Sequence, residues 1–366
     1  MKIPWSGRSH NFDKKDISFL VNIIKEADPL TQGKFLEKFE STFSKYIGKK
    51  NVFAVSSAAA ALEIIALLAD IKKDDEVIIP AHTYCASAIP FARNGAKIIW
   101  ADINFKTRVA DLIDVKRKIT SKTKAIILVH LYGYALDFKE IISYCQKRKI
   151  KIIEDCAQAL GAEIDGKKAG SLGDFSCFSF HAQKNITTLG EGGMVYVKEN
   201  KLASKVKGLR HNGHCDFKFK RKNYWQPAMG NLDLDLKNKW PYKFTLSEIQ
   251  CGAGIIMMKK LDKLNSIRIR RANKFTKSLK YIARGIKIYQ KEIKDFIKKC
   301  KSYENSNGYV SLDFYDLKIN KNYKFTSRPF INQIFKVLGI QKLKMQILTG
   351  GIKISLKRNR FLFNPQ

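Results

Sequence analysis

A chain of 366 residues with 45% hydrophobic content is long enough for a full core and by size divides into about two domains. It holds no run near the roughly 18 apolar residues of a membrane span, and Met1 to Asn11 lack the basic-then-apolar order of a secretory leader, so a cytoplasmic protein with no membrane partner is expected. The net charge of +35 invites a nucleic-acid reading, but 22 Lys or Arg against 5 Asp or Glu fall between Arg271 and Gln366, in a tail whose Lys, Ile and Asn bias is that of an AT-rich genome, and no nucleic-acid-binding motif accompanies them.

Residues 15 to 50 read as two helices. Phe19, Leu20, Ile23 and Ile24, then Phe35, Phe39, Phe43 and Tyr46, recur at spacings of three and four around a break at Pro29 to Gly33. A short apolar strand, Val52 to Val55, passes through the small residues Ser56 to Ala61 into an apolar helix, Leu62 to Ala69. Short β-branched runs then alternate with helical or turn segments: Glu76 to Ile79, Lys97 to Ala101, Ala125 to His130 and Lys151 to Glu154. That rhythm predicts an α/β fold on a parallel sheet covered on both faces, with ligands gathering at the carboxyl ends of its strands. Just past those ends stand Ser56, Ser57, Tyr84, His130, Asp155 and Gln158, a polar and aromatic set. Two further strands, Phe175 to Phe180 and Met194 to Val197, flank the polar, glycine-rich segment His181 to Gly193, a composition typical of functional loops. Residues 208 to 242 read as irregular, and the helical pattern returns from Leu246 to about Tyr281. A first domain over 1–250 and a second over 251–366, atypical after about residue 281, are expected.

Seven cysteines stand singly, with no CxxC pair, so neither disulfides nor a metal site is expected and the thiols are read as reduced, most of them buried. Schiff-base chemistry requires a lysine that can lose its proton, an acid that keeps a pyridine nitrogen charged, an aromatic face for the ring and a phosphate pocket. Asp155, at the end of a strand, fits the acid; on position alone it fits equally well as a helix N-cap for Cys156 to Gly161. Lys184 lies in Ser179-Phe-His-Ala-Gln-Lys-Asn185 ahead of Gly190-Glu-Gly-Gly193, although any one of so many lysines is by default a solvated surface charge.

Glu154-Asp-Cys-Ala-Gln-Ala-Leu-Gly161, Gly170-Ser-Leu-Gly-Asp174 and Cys177 to Gly193 closely resemble, in order and spacing, the DegT/DnrJ/StrS family of sugar aminotransferases. Leu30-Thr-Gln-Gly33, Val77-Ile-Ile-Pro80 with Thr83-Tyr84, His130-Leu-Tyr-Gly133 and Leu246-Ser-Glu-Ile-Gln250 resemble its other landmarks, so the likeness covers about residues 3 to 275. The resemblance implies the aspartate-aminotransferase fold of pyridoxal-phosphate enzymes: a large domain with a mostly parallel seven-stranded sheet, a smaller C-terminal domain, and a homodimer with sites at the interface. It implies that Lys184 carries pyridoxal 5'-phosphate and shuttles protons, Asp155 partners the pyridine nitrogen, Gln158 lies near the phenolic oxygen, Tyr84 stacks on the ring and Ser179 binds the phosphate. A keto-sugar nucleotide is the implied substrate and glutamate the implied amino donor, for amino-sugar and surface polysaccharide synthesis. Relatives that dehydrate sugars carry histidine in place of the lysine; here the lysine is present and His181 stands three positions before it.

Three departures from the family pattern stand out. Ala58 and Ala59 occupy the places of a Gly-Thr pair that holds the phosphate, leaving backbone donors near a helix start and Ser57 as a possible substitute. Lys243 stands where the family often has an asparagine that reaches the neighbouring subunit's phosphate; a phosphate contact or a plain surface lysine are both open. After about Tyr281 the family's small domain is no longer recognisable. A decayed or regulatory relative that keeps the fold is therefore the alternative to an active aminotransferase.

Overall fold

The computed structural model describes residues 12–214 and 239–285, with side chains as far as residue 277, and beyond them five strand segments between 322 and 365. Asp13 and Asp16 exchange side-chain-to-backbone hydrogen bonds in a capping box that starts α1 (Lys14–Glu26). After the expected break comes α2 (Lys34–Ile47), whose Phe35, Phe39 and Phe43 are buried as their helical spacing requires. Strand β1 (Val52–Val55) leads through Ser57 into α3 (Ala58–Leu68), which starts earlier than the apolar run predicts. Ser57 caps it by accepting from the Ala60 N–H, and the alanines that follow are the strongest helix formers.

Strands and helices then alternate as β2 (Glu76–Pro80), α4 (Ile89–Arg93), β3 (Lys97–Ala101), α5 (Leu112–Arg117), β4 (Thr123–Val129), α6 (Lys139–Lys147) and β5 (Lys151–Asp155). A two-stranded ribbon, β6 (Glu163–Ile164) and β7 (Lys167–Lys168), precedes β8 (Phe175–Ser179) and β9 (Gly193–Val197), and the short helices α7 (Asn200–Ala203) and α8 (Val206–Arg210) follow. The seven strands are ordered β1-β9-β8-β5-β4-β2-β3; β8, β5, β4, β2 and β3 run parallel, and β9 is antiparallel to both neighbours. The fold is the expected α/β architecture with a mostly parallel seven-stranded sheet. Every residue of β2, β8 and β9 is buried, as is β5 after Lys151, which is why these strands read largely as apolar or small-residue runs. Along β9, Val195 and Val197 join one apolar cluster with α3 and α6, while Met194 and Tyr196 join another with α1 and α2.

The second cluster is closed by α9 (Glu248–Gly285). Ser247 and Gln250 form a capping box at its start, and the buried Glu248 carboxylate accepts from the backbone N–H groups of Gly33, Phe35 and Leu36, so a residue of α9 caps α2. A Cβ on Gly254 would stand 2.5 Å from the Phe39 ring, so glycine lets α9 pack directly against α2. The chain divides into compact units at Lys274/Phe275, within α9 and beyond the expected boundary at 250/251, which falls in the first turn of that helix. The second unit holds an antiparallel sheet ordered β13-β12-β11-β10-β14, formed by β10 (Asn322–Phe325), β11 (Ile334–Ile340), β12 (Lys344–Thr349), β13 (Ile352–Lys357) and β14 (Phe363–Pro365).

Candidate functional site

The strand ends of the large sheet open on a cavity of about 520 Å³, within the size range of small-molecule sites. Its floor is Asp155, the last residue of β5 and 6% exposed. The helix-cap reading of this residue does not hold, because no helix forms over 156–161. Instead Asp155 Oδ1 accepts from the Ala157 N–H at 3.0 Å in an Asx-type turn, and Oδ2 accepts from the Ser87 hydroxyl at 2.7 Å. Cys177, on the neighbouring strand, lies against the same carboxylate; burial, then the charge of Asp155, push its thiol well up. The positive charge of Lys184 acts on Cys177 in the opposite sense.

One residue upstream, Glu154 fixes the frame. Its fully buried carboxylate accepts from His130 Nε2 at 2.9 Å and from the N–H groups of Gly170, Leu172 and Gly173. The other ring nitrogen of His130 accepts from the Leu136 N–H, so the Nε2–H tautomer is set by the network. Burial drives the Glu154 carboxyl upward, but these donors outweigh it and its pKa lies below the ordinary value. Glu154, His130 and Cys156 come together as a metal site would require, yet the imidazole nitrogens and the carboxylate are already committed to hydrogen bonds.

The opposite end of the cavity is the start of α3. Ser57, Ala58 and Ala59 line it, and the N–H groups of Ala58 and Ala59 have no protein partner among the described residues. Such unpaired donors at the positive end of a helix dipole form a ready anion site. The Ser57 oxygen is spent on the cap, but its proton remains free to donate. Gly193 makes this placement possible: a Cβ there would lie 2.4 to 2.6 Å from the Ser57 and Ala58 backbone, so only glycine allows β9 to pass so close beneath the helix start. Ser179, at the end of β8, also lines the cavity.

Between the two ends lie Tyr84, 69% exposed with its ring open, and Gln158 and Lys184. The Gln158 amide oxygen accepts from the Tyr132 N–H, leaving its NH₂ group as the free donor. Lys184 sits in a loop pinned by Lys184 N–H to His181 carbonyl and Ala182 N–H to Gly190 carbonyl hydrogen bonds, and its amine has no hydrogen-bond or ion-pair partner among the described residues. The cavity thus brings together Ser57, Ala58, Ala59, Tyr84, Asp155, Gln158, Ser179 and Lys184. Lys243 is not in its lining. That residue pairs in an isolated bridge with His211, is exposed, and has its pKa lowered by partial desolvation of the amine. Thr83, Ser87, His181, Gln183 and Glu191 line the cavity without having been singled out as binding residues; Ser87 lies three positions past Tyr84, in a short turn with no sequence periodicity. Four of the five described cysteines are buried, while Cys215 and Cys300 lie outside the described residues.

The profile of the DegT/DnrJ/EryC1/StrS aminotransferase family matches residues 11–303. GDP-perosamine synthase of Vibrio cholerae is 32% identical over 254 residues, 69% of this chain and 65% of the synthase. The dTDP-3-amino-3,6-dideoxy-alpha-D-galactopyranose transaminase of Aneurinibacillus thermoaerophilus is 39% identical over 200 residues, 55% of each protein. The chain thus spans less than two thirds of the length of either relative. Among solved structures, Helicobacter pylori PseC, an aminotransferase involved in the biosynthesis of pseudoaminic acid, is similar with a TM-score of 0.62 and 27% identity over 70% of this chain and 66% of that one.

Proposed function

Because the chain belongs to the DegT/DnrJ/EryC1/StrS aminotransferase family, which is pyridoxal-phosphate-dependent, we propose that it transaminates a keto-sugar nucleotide in amino-sugar synthesis, with glutamate as amino donor. The observation that carries this reading is the meeting of Lys184 and Asp155 in one cavity that ends on the open N-terminus of α3. The residues fit the cofactor: a phosphate suits the α3 donors with Ser179, a pyridine ring the open face of Tyr84, and a ring nitrogen the Asp155 carboxylate. When bound, pyridoxal phosphate supplies an electron sink for charge developing at the carbon that exchanges its amino group.

This chain's residues supply the rest. Asp155 holds a proton on the ring nitrogen by its negative charge. The Lys184 amine, free of any acidic partner among the described residues, takes a proton from the reacting carbon and returns it. Gln158 presents its NH₂ to the phenolic oxygen, and Ser57, Ala58 and Ala59 offer the phosphate one hydroxyl and two N–H donors. Lys243, outside this chain's own cavity, is assigned to a phosphate of a partner subunit, which accords with a homodimer. No helix among the described residues is long and apolar enough to cross a membrane, and a cytoplasmic reaction is part of the proposal.

The test is an absorbance spectrum with added pyridoxal phosphate, before and after glutamate. A band between about 300 and 500 nm that shifts on adding glutamate supports the reading, and Lys184→Ala is expected to lose the roughly 10²–10⁴-fold that positioned proton transfer contributes. A protein that stays colourless establishes instead the silent relative that Ala58 and Ala59 favour.

A further inference from the structure

The carboxylate on the cavity floor is itself held by a directed hydrogen-bond chain. Ser87 is 1% exposed and its Oγ lies 2.7 Å from Asp155 Oδ2. An ionised carboxylate only accepts, so Ser87 donates its single proton to Asp155. Thr83 Oγ1 lies 2.8 Å from Ser87 Oγ, and with the serine proton spent, Thr83 must be the donor in that pair. The order is therefore Thr83 to Ser87 to Asp155, and all three residues line the cavity. On the other side Ala157 N–H takes Oδ1 at 3.0 Å. These two donors, with the Cys177 thiol against the same carboxylate, leave at least one of its roughly four acceptor sites for a group in the cavity.

We propose that Ser87 is a positioning residue that turns the Asp155 carboxylate toward the ring nitrogen of the bound cofactor and keeps the proton they share on that nitrogen, with Thr83 polarising the serine hydroxyl. This rests on the cofactor reading above. A donor on a carboxylate oxygen draws off negative charge and weakens the carboxylate as a base, so the shared proton stays on its partner. Hydroxyls in series strengthen one another, which gives Thr83 a smaller effect in the same direction. A serine that served packing alone would change stability and leave the proton where it is.

The experiment adds pyridoxal phosphate labelled with ¹⁵N in the ring to the full chain and follows the ring-nitrogen resonance and the dissociation constant across pH. In the wild type the resonance is expected at the protonated position. In Ser87→Ala it moves toward that of a neutral pyridine and the dissociation constant rises about ten-fold, while Ser87→Thr restores both. Thr83→Val moves the resonance the same way by less, and it decides the matter should Ser87→Ala fail to fold. A wild type that does not bind the cofactor overturns the cofactor reading and this one with it. A wild type with a protonated ring nitrogen and a Ser87→Ala variant identical to it overturns the role of Ser87 alone.

Discussion

The two ends of the cavity are built from different materials. At the floor, Asp155 is gripped by the side chains of Ser87 and Cys177 and by one backbone N–H, so the chemistry depends on residue identity. At the start of α3 the donors are the backbone N–H groups of Ala58 and Ala59, which most residues at those positions would also provide. The lesson is that a site is robust to substitution where the backbone does the binding and fragile where a side chain does. The family's Gly-Thr pair is lost at the robust end, while the acid and the lysine stand intact at the fragile one.

Substitutions at either end test that contrast. Asp155→Ala is expected to have the largest effect, about 2–5 kcal/mol of pyridoxal phosphate affinity, because it removes one partner of a buried charge pair; an unchanged dissociation constant would break the comparison at its stronger end. Gly193→Ala attacks the helix start through the one position where the backbone needs a particular residue, and overpacking there should cost about 1–3 kcal/mol in unfolding free energy and weaken cofactor binding with it. Normal stability and affinity in that variant would mean that the α3 donors are not held by β9. Ala59→Thr returns a hydroxyl to the phosphate end and should tighten cofactor binding by only about 0.5–1.5 kcal/mol. A much larger gain would show that the backbone donors alone are insufficient.

The smallest effect on cofactor binding is expected outside the cavity. Burial, then the positive charges of Lys243, His214 and Arg210, push His211 down to about 4 from 6.5. As pH falls from about 6.5 toward 4 the unfolded chain takes up a proton that the folded chain refuses, so stability declines over that window. His211→Gln should flatten this part of the stability profile and leave the cofactor dissociation constant at neutral pH unchanged, which thermal melts at several pH values and one titration would establish.

Much of this was legible in the sequence for a physical reason. Strands such as Glu76–Pro80 and Thr123–Val129 carry short apolar runs, and buried strands of a parallel sheet leave that trace. Lys184, Asp155, Gln158 and Tyr84 belong to motifs whose spacing is tied to strand ends, and all four line the cavity. Ser87 and the Glu154 node were not legible, since a hydrogen bond between residues 68 positions apart, or a carboxylate accepting three turn N–H groups, imposes no pattern on neighbouring residues. The start of α3 was misplaced because small residues look alike in loops and helices until the Ser57 cap is seen.

The cap on α2 has a consequence for how the chain is made. Glu248 Oε1 accepts from the Gly33 N–H across 215 positions of sequence, and the apolar face of α2 is closed by the same late helix. A ribosome adding 5–20 residues per second needs roughly 10 to 40 s to travel that distance. During that interval the emerging chain carries Phe35, Phe39 and Phe43 without their eventual cover, a nascent-chain segment fit for a holding chaperone until α9 arrives.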